Sequence, residues 1–179
     1  MKKNIFQLFT ILLLSVVFLG TSAQDRRTLD TKVADILAQM PTKELGQRDR
    51  VMAEIIKLGP EGFKKFSELL VPLGTGDDTA VRFALNSLVR YASAFGNEEE
   101  RKYVESQLLS ALEEHADTEV KTFLLNQLNL VAGDKAIDAT KKYLTQKDLV
   151  EPVTQMMVQT GSKKATMALF EVLPQAGDD

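Results

Sequence analysis

From Thr28 onward, apolar residues recur with the period of a helix, and the recurrence is broken by glycine at near-regular intervals. Leu29, Val33, Ile36, Leu37 and Met40 form one stripe of an amphipathic helix, closed by Pro41. Further stripes follow: Val51, Ile55, Leu58; Phe63, Phe66, Leu70; Val81, Ala84, Leu85, Leu88, Ala92; Val104, Leu108, Ala111, Leu112. The series continues with Val120, Leu124, Leu128, Val131, then Ile137, Thr140, Leu144, then Val153, Met156, Met157, Thr160, and ends with Ala165, Leu169, Val172, Leu173. No run alternates with the period of two that a half-buried strand needs. The expected fold class is all-α.

Gly59, Gly96, Gly133 and Gly161 each stand where one stripe stops and the next starts. Glycine reaches the left-handed conformation that ends a helix, and the proline, asparagine, aspartate or serine that follows suits the opening of the next. Each glycine therefore reads as a tight turn inside a helix pair. The intervals are 37, 37 and 28 residues, and a recurring two-helix unit of that size is how an α-solenoid is written.

Ahead of Gly96 and Gly133 the chain repeats an Asp-Thr-x-Val-basic pattern, at Asp78 to Arg82 and Asp117 to Lys121. On these residues the units resemble HEAT-type repeats, whose first helix opens with aspartate and carries a valine-basic pair. The resemblance implies a right-handed α-solenoid of about four helix pairs over residues 42–174, with residues 24–41 as an N-terminal capping helix. Tetratricopeptide repeats fit less well, because they keep a fixed unit of about 34 residues with an aromatic pattern absent here. The stretches "LVPLGTGDDTAVRFALNSLVRYAS", "EERKYVESQLLSAL" and "EVKTFLLNQLNLVAGDKA" are also similar to the N-terminal helical region of secreted bacterial proteins that continue into a lectin-like β-sandwich of the 3-keto-disaccharide hydrolase type. That hydrolase's site residues have no matching positions in this chain.

The opening "MKKNIFQLFTILLLSVVFLGTSAQ" has a basic start, an apolar centre and a small-residue exit, the layout of a signal peptide over residues 1–23. Gln7, Thr10 and Ser15 interrupt the apolar run, which disfavours a retained anchor needing roughly 20 predominantly apolar residues. The expected location is secreted or periplasmic, without stable membrane insertion after cleavage. Pro174 and residues 175–179 read as a tail or the start of a linker. Of 22 basic residues, Lys2 and Lys3 lie in the leader, leaving 20 against 25 acidic ones. A mildly acidic body lacks the basic footprint of a nucleic-acid binder. Cysteine is absent and histidine occurs once, so thiol chemistry is excluded and the means for catalysis are few.

The "GTGDDT" loop lacks the lysine and hydroxyl of a phosphate cradle and has too few ligands for calcium, so Asp77 and Asp78 are expected to open a helix, as is Asp117. His115 beside Glu113 and Glu114 lies near a helix end, without a second imidazole, and reads as structural or solvated. The basic residues Lys64, Lys65, Arg101, Lys102, Lys141, Lys142, Lys163 and Lys164 recur in second helices. They read as solvated surface or, as a sharper alternative, as a positive strip for an acidic partner or glycan. Met167 and Phe170 leave extra apolar surface near the end of the stack. No cofactor or metal is implied. The expected function is a non-enzymatic interaction module for a protein or polysaccharide partner; the alternative is the helical accessory region of a carbohydrate-active enzyme whose catalytic domain lies outside this chain.

Overall fold

The computed structural model describes residue 25 and residues 27–172. The signal-peptide segment, Gln24, Pro174 and the expected tail lie outside the described residues. Among the described residues all regular structure is helical, as the periodicity requires. The elements are α1 (Leu29–Leu37), α2 (Leu45–Lys57), α3 (Gly59–Ser67), α4 (Thr79–Ala92) and α5 (Glu98–Glu114), then α6 (Thr118–Leu128), α7 (Asp134–Thr140), a 3-10 turn (Lys141–Tyr143), α8 (Val150–Thr160) and α9 (Lys163–Val172).

Each helix buries the stripe its sequence provides. In α4 the buried residues are Val81, Ala84, Leu85, Leu88, Val89 and Ala92, spaced three or four apart. Phe63, Phe66, Leu85, Leu88, Leu108, Leu112, Leu124 and Leu128 are among the fully buried side chains, each contributing about 1.5–3 kcal/mol by leaving water. Sequence neighbours α2 and α3, α4 and α5, and α8 and α9 pack together. Next-but-one neighbours also pack: α2 with α4, α4 with α6 and α6 with α8, and likewise α1 with α3, α3 with α5, α5 with α7 and α7 with α9. Even-numbered helices thus make one row, odd-numbered helices a second, and the apolar seam runs between them.

Several helix ends differ from the sequence expectation. Helix α1 stops at Leu37 rather than Met40, because the chain tightens into i→i+3 bonds from Gln39 and Met40 to Ile36 and Leu37; Met40 still packs against the core. The stripe through Ile137 and Leu144 is not one helix. The Thr140 hydroxyl donates back to Ala136 O at 2.7 Å, and the chain then narrows into the 3-10 turn.

The four punctuating glycines are not equivalent. Gly59, Gly96 and Gly161 have φ of 70°, 90° and 63°, the left-handed region where a side chain is strained. Gly133 does not: it precedes α7 in extended conformation, φ −123° and ψ −164°. Its turn is made by the preceding residues, with Val131 N and Ala132 N both bonding Leu128 O.

Candidate interaction surface

The repeated Asp-Thr-x-Val-basic pattern has a physical purpose, and it is not the one expected at Asp78. Asp78 stands at the N-cap of α4, but its side chain makes no capping bond. Asp78 Oδ2 instead accepts from Val71 N at 3.1 Å and from Arg82 Nε at 2.8 Å. Asp77 takes the role at the helix start, accepting from Thr79 N at 3.1 Å, and hydrogen bonding with Thr79, through its side chain first and its amide second, lowers the Asp77 pKa. Asp117 caps α6 directly, accepting from Glu119 N at 2.9 Å and Val120 N at 3.1 Å.

The Arg82 guanidinium is the hub. It donates to Val71 O at 2.9 Å and forks onto Glu119 of α6 at 3.0 and 2.9 Å, while its carbon lies 4.6 Å from the centre of the Phe123 ring. Burial opposes its charge, but the bonds to Glu119 and Asp78 outweigh that and raise its pKa. Lys121, at the same position of the pattern one unit on, lies 5.7 Å from the centre of the Tyr143 ring. Arg82 therefore reaches forward from one unit to the next, whereas Lys121 reaches a ring at the far end of its own helix pair.

A second tie compensates for the glycine before α7, which has no side chain to cap with. Glu105 of α5, 7% exposed, accepts from Gly133 N at 2.8 Å and Ala136 N at 3.1 Å. It satisfies amides at that helix start from 28 residues away. His115 ends α5, and its Nε2 lies 2.9 Å from Ser67 O at the end of α3, a structural link between neighbouring odd helices.

The odd-helix row is crossed by ion pairs. Lys65 meets Asp30 at 3.2 Å, joining α3 to α1, and Lys64 meets Glu114 at 3.4 Å, joining α3 to α5. Lys142 in the 3-10 turn pairs with Glu113 of α5, and Lys164 of α9 pairs with Asp138 of α7. Lys102 pairs within α5 with Glu99 at 2.7 Å, and Arg101 donates to the carbonyls of Val131 and Ala132 at 3.3 and 3.4 Å. Lys141 is exposed. Lys64, Lys65, Lys142 and Lys164 thus each lie against a carboxylate of a neighbouring odd helix, Lys102 against one on its own helix, and Arg101 against backbone carbonyls.

The even-helix row is different. Its solvent side carries Thr79, Phe83, Asn86 and Arg90 on α4, Thr118, Thr122 and Asn126 on α6, and Gln155 on α8. Phe83 is 48% exposed. Asn86 is held from both sides: its amide donates to Gln127 on α6 at 3.3 Å, and its oxygen accepts from Arg90 at 3.0 Å. Between α4 and α6 this surface is rich in amides and hydroxyls, with the Asn86–Gln127 bond joining the two units, whereas α2 of the same row exposes Arg50, Glu54 and Lys57 and α8 exposes Glu151.

Three concavities lie between the helices. One of about 300 Å³ between α1 and α2 is lined by Asp25, Arg27, Lys32, Asp35, Glu54 and Lys57. Its charges pair with one another: Arg27 bonds Asp25 and Asp35, and the first of these bonds holds the Asp25 carboxyl well below the usual range. Another, about 210 Å³ between α3 and α5, is crossed by the Lys64–Glu114 pair. The third is an apolar groove of about 360 Å³ between α8 and α9, lined by Met157, Val158, Gly161, Thr166, Leu169 and Phe170. Met167 and Phe170, singled out from sequence, stand 55% and 65% exposed at this end of the molecule. Among the described residues no three His, Asp or Glu side chains gather as metal ligands would, and no helix is long and apolar enough to cross a membrane.

Sequence reasoning missed Arg82, Glu119 and Glu105 as ties between units. Arg82 and Glu119 stand in the repeated pattern, but nothing in the pattern says that the two bond to each other. No protein-family model, curated protein or solved structure matches the chain, so the functional argument rests on the arrangement of these faces.

Proposed function

We propose that the chain is a non-enzymatic interaction module, a right-handed HEAT-like α-solenoid of about four helix pairs with α1 as its N-terminal cap. It acts in a secreted or periplasmic setting and binds a protein or glycan through its even-helix face. The observation that carries this reading is the difference between the two rows. The odd face pairs many of its charges with one another, whereas between α4 and α6 the even face presents Phe83 beside an amide held between units and a row of hydroxyls. An apolar anchor with oriented hydrogen-bonding groups around it suits recognition of a neutral chain, because buried polar groups must find partners and unpaired charges are costly to bury. The pairing of next-but-one helices supports the solenoid reading. The secreted setting rests on residues 1–23.

The test compares three immobilised proteins against the same extracellular protein and polysaccharide fractions. These are the wild type, a Phe83→Ser/Asn126→Ala variant of the even face, and a Lys142→Ser/Lys164→Ser variant of the odd face. Ligands kept by the wild type and the odd-face variant but weakened roughly tenfold by the even-face changes, the usual cost of losing an interface anchor, support the proposal. Binding that survives the even-face changes and is lost with the odd-face ones overturns it.

A further inference from the structure

The solvent side of α9 is self-complementary. Its exposed residues are Lys163, Thr166, Met167, Phe170 and Glu171, one continuous stripe by their three- and four-residue spacing, opposite the buried Ala165 and Ala168. The stripe carries a cation at its start, an anion at its end and an apolar centre, with Met167 midway between Lys163 and Glu171. The apolar groove beside it is lined by Met157, Val158 and Gly161 and, along the same helix, by Thr166, Leu169 and Phe170, so the exposed ring is itself part of the groove wall. A protruding ring and an apolar groove therefore occur on one patch.

We propose that this patch pairs with a second copy of the chain, α9 against α9 antiparallel, with the twofold axis passing Met167. In that arrangement Lys163 of each copy faces Glu171 of the other. Phe170 of each copy falls opposite the start of the facing helix, next to the groove wall at Gly161. The two helix dipoles also oppose one another favourably. An isologous contact requires each patch to carry both halves of every complementary pair, and this patch does. That property favours a second copy over an unrelated partner. A helix of ten residues spans about 15 Å, so the contact is small beside a standard interface and the dimer is weak, with a dissociation constant on the order of 10–1,000 μM.

Sedimentation velocity of the mature chain between about 10 μM and about 1 mM tests the pairing. The wild type is expected to shift from monomer to dimer across that range. Phe170→Asp abolishes the shift. Lys163→Glu and Glu171→Lys each weaken association roughly tenfold by replacing two attractions with two repulsions, and the Lys163→Glu/Glu171→Lys double variant recovers it. All three changes are at exposed positions, so circular dichroism of the four variants should match the wild type. A wild type that stays monomeric throughout, or a dimer indifferent to Phe170→Asp, or a double swap without recovery, overturns the proposal.

Discussion

At the scale of single residues, no side chain among the described residues bridges two units through more polar partners than Arg82. It fills its donors with Asp78, Val71 O and both oxygens of Glu119, and covers Phe123. Its side chain is 18% exposed and that of Asp78 is 9% exposed, so removing the guanidinium strands two carboxylates and a carbonyl where water reaches them poorly. Arg82→Ala is expected to destabilise the fold by about 2–3 kcal/mol, read as a lower urea midpoint at unchanged slope. Arg82→Lys should recover little, because one ammonium cannot reproduce the fork. Exposed pairs such as Lys64–Glu114 contribute at most about 1 kcal/mol each. Their role is to neutralise the odd face more than to hold it together.

At the scale of elements, glycine spelled alike in sequence has two meanings. Gly96 sits at φ 90° with open space around it, so a methyl group there is strained by the backbone alone. Gly133 sits at φ −123°, and a methyl group would lie 3.5 Å from the Glu105 carboxylate, an ordinary contact. Gly96→Ala should cost about 1–2 kcal/mol, whereas Gly133→Ala should fall within about 0.5 kcal/mol of wild type; thermal melts of the two variants check the difference. What could be read beforehand follows the same division. Helix type and buried stripe follow from local spacing, as in Val81 to Ala92, because a period is a property of consecutive residues. Helix ends and charge partners depend on groups far along the chain. Glu105 bonding the start of α7, Lys142 finding Glu113 and Asp78 turning back to Val71 are all set by how units stack. A run of lysines likewise shows its spacing but not the carboxylates that the neighbouring helix places opposite.

At the scale of the whole molecule, the order of contacts decides the rest. If α6 lies between α4 and α8 in one row, the even-helix face is continuous and the exposed stripe of α9 stands at the end of the described stack. If the helices pack in another order, neither surface exists as described. The chain has no cysteine, so a single nitroxide can be attached through Asn126→Cys on the exposed side of α6. Paramagnetic broadening of backbone amide signals then measures which helices lie beside it. Strong broadening along α4 and α8 with markedly weaker broadening along α2 is the expected result, and broadening of α2 as strong as that of α4 would contradict the stacked arrangement.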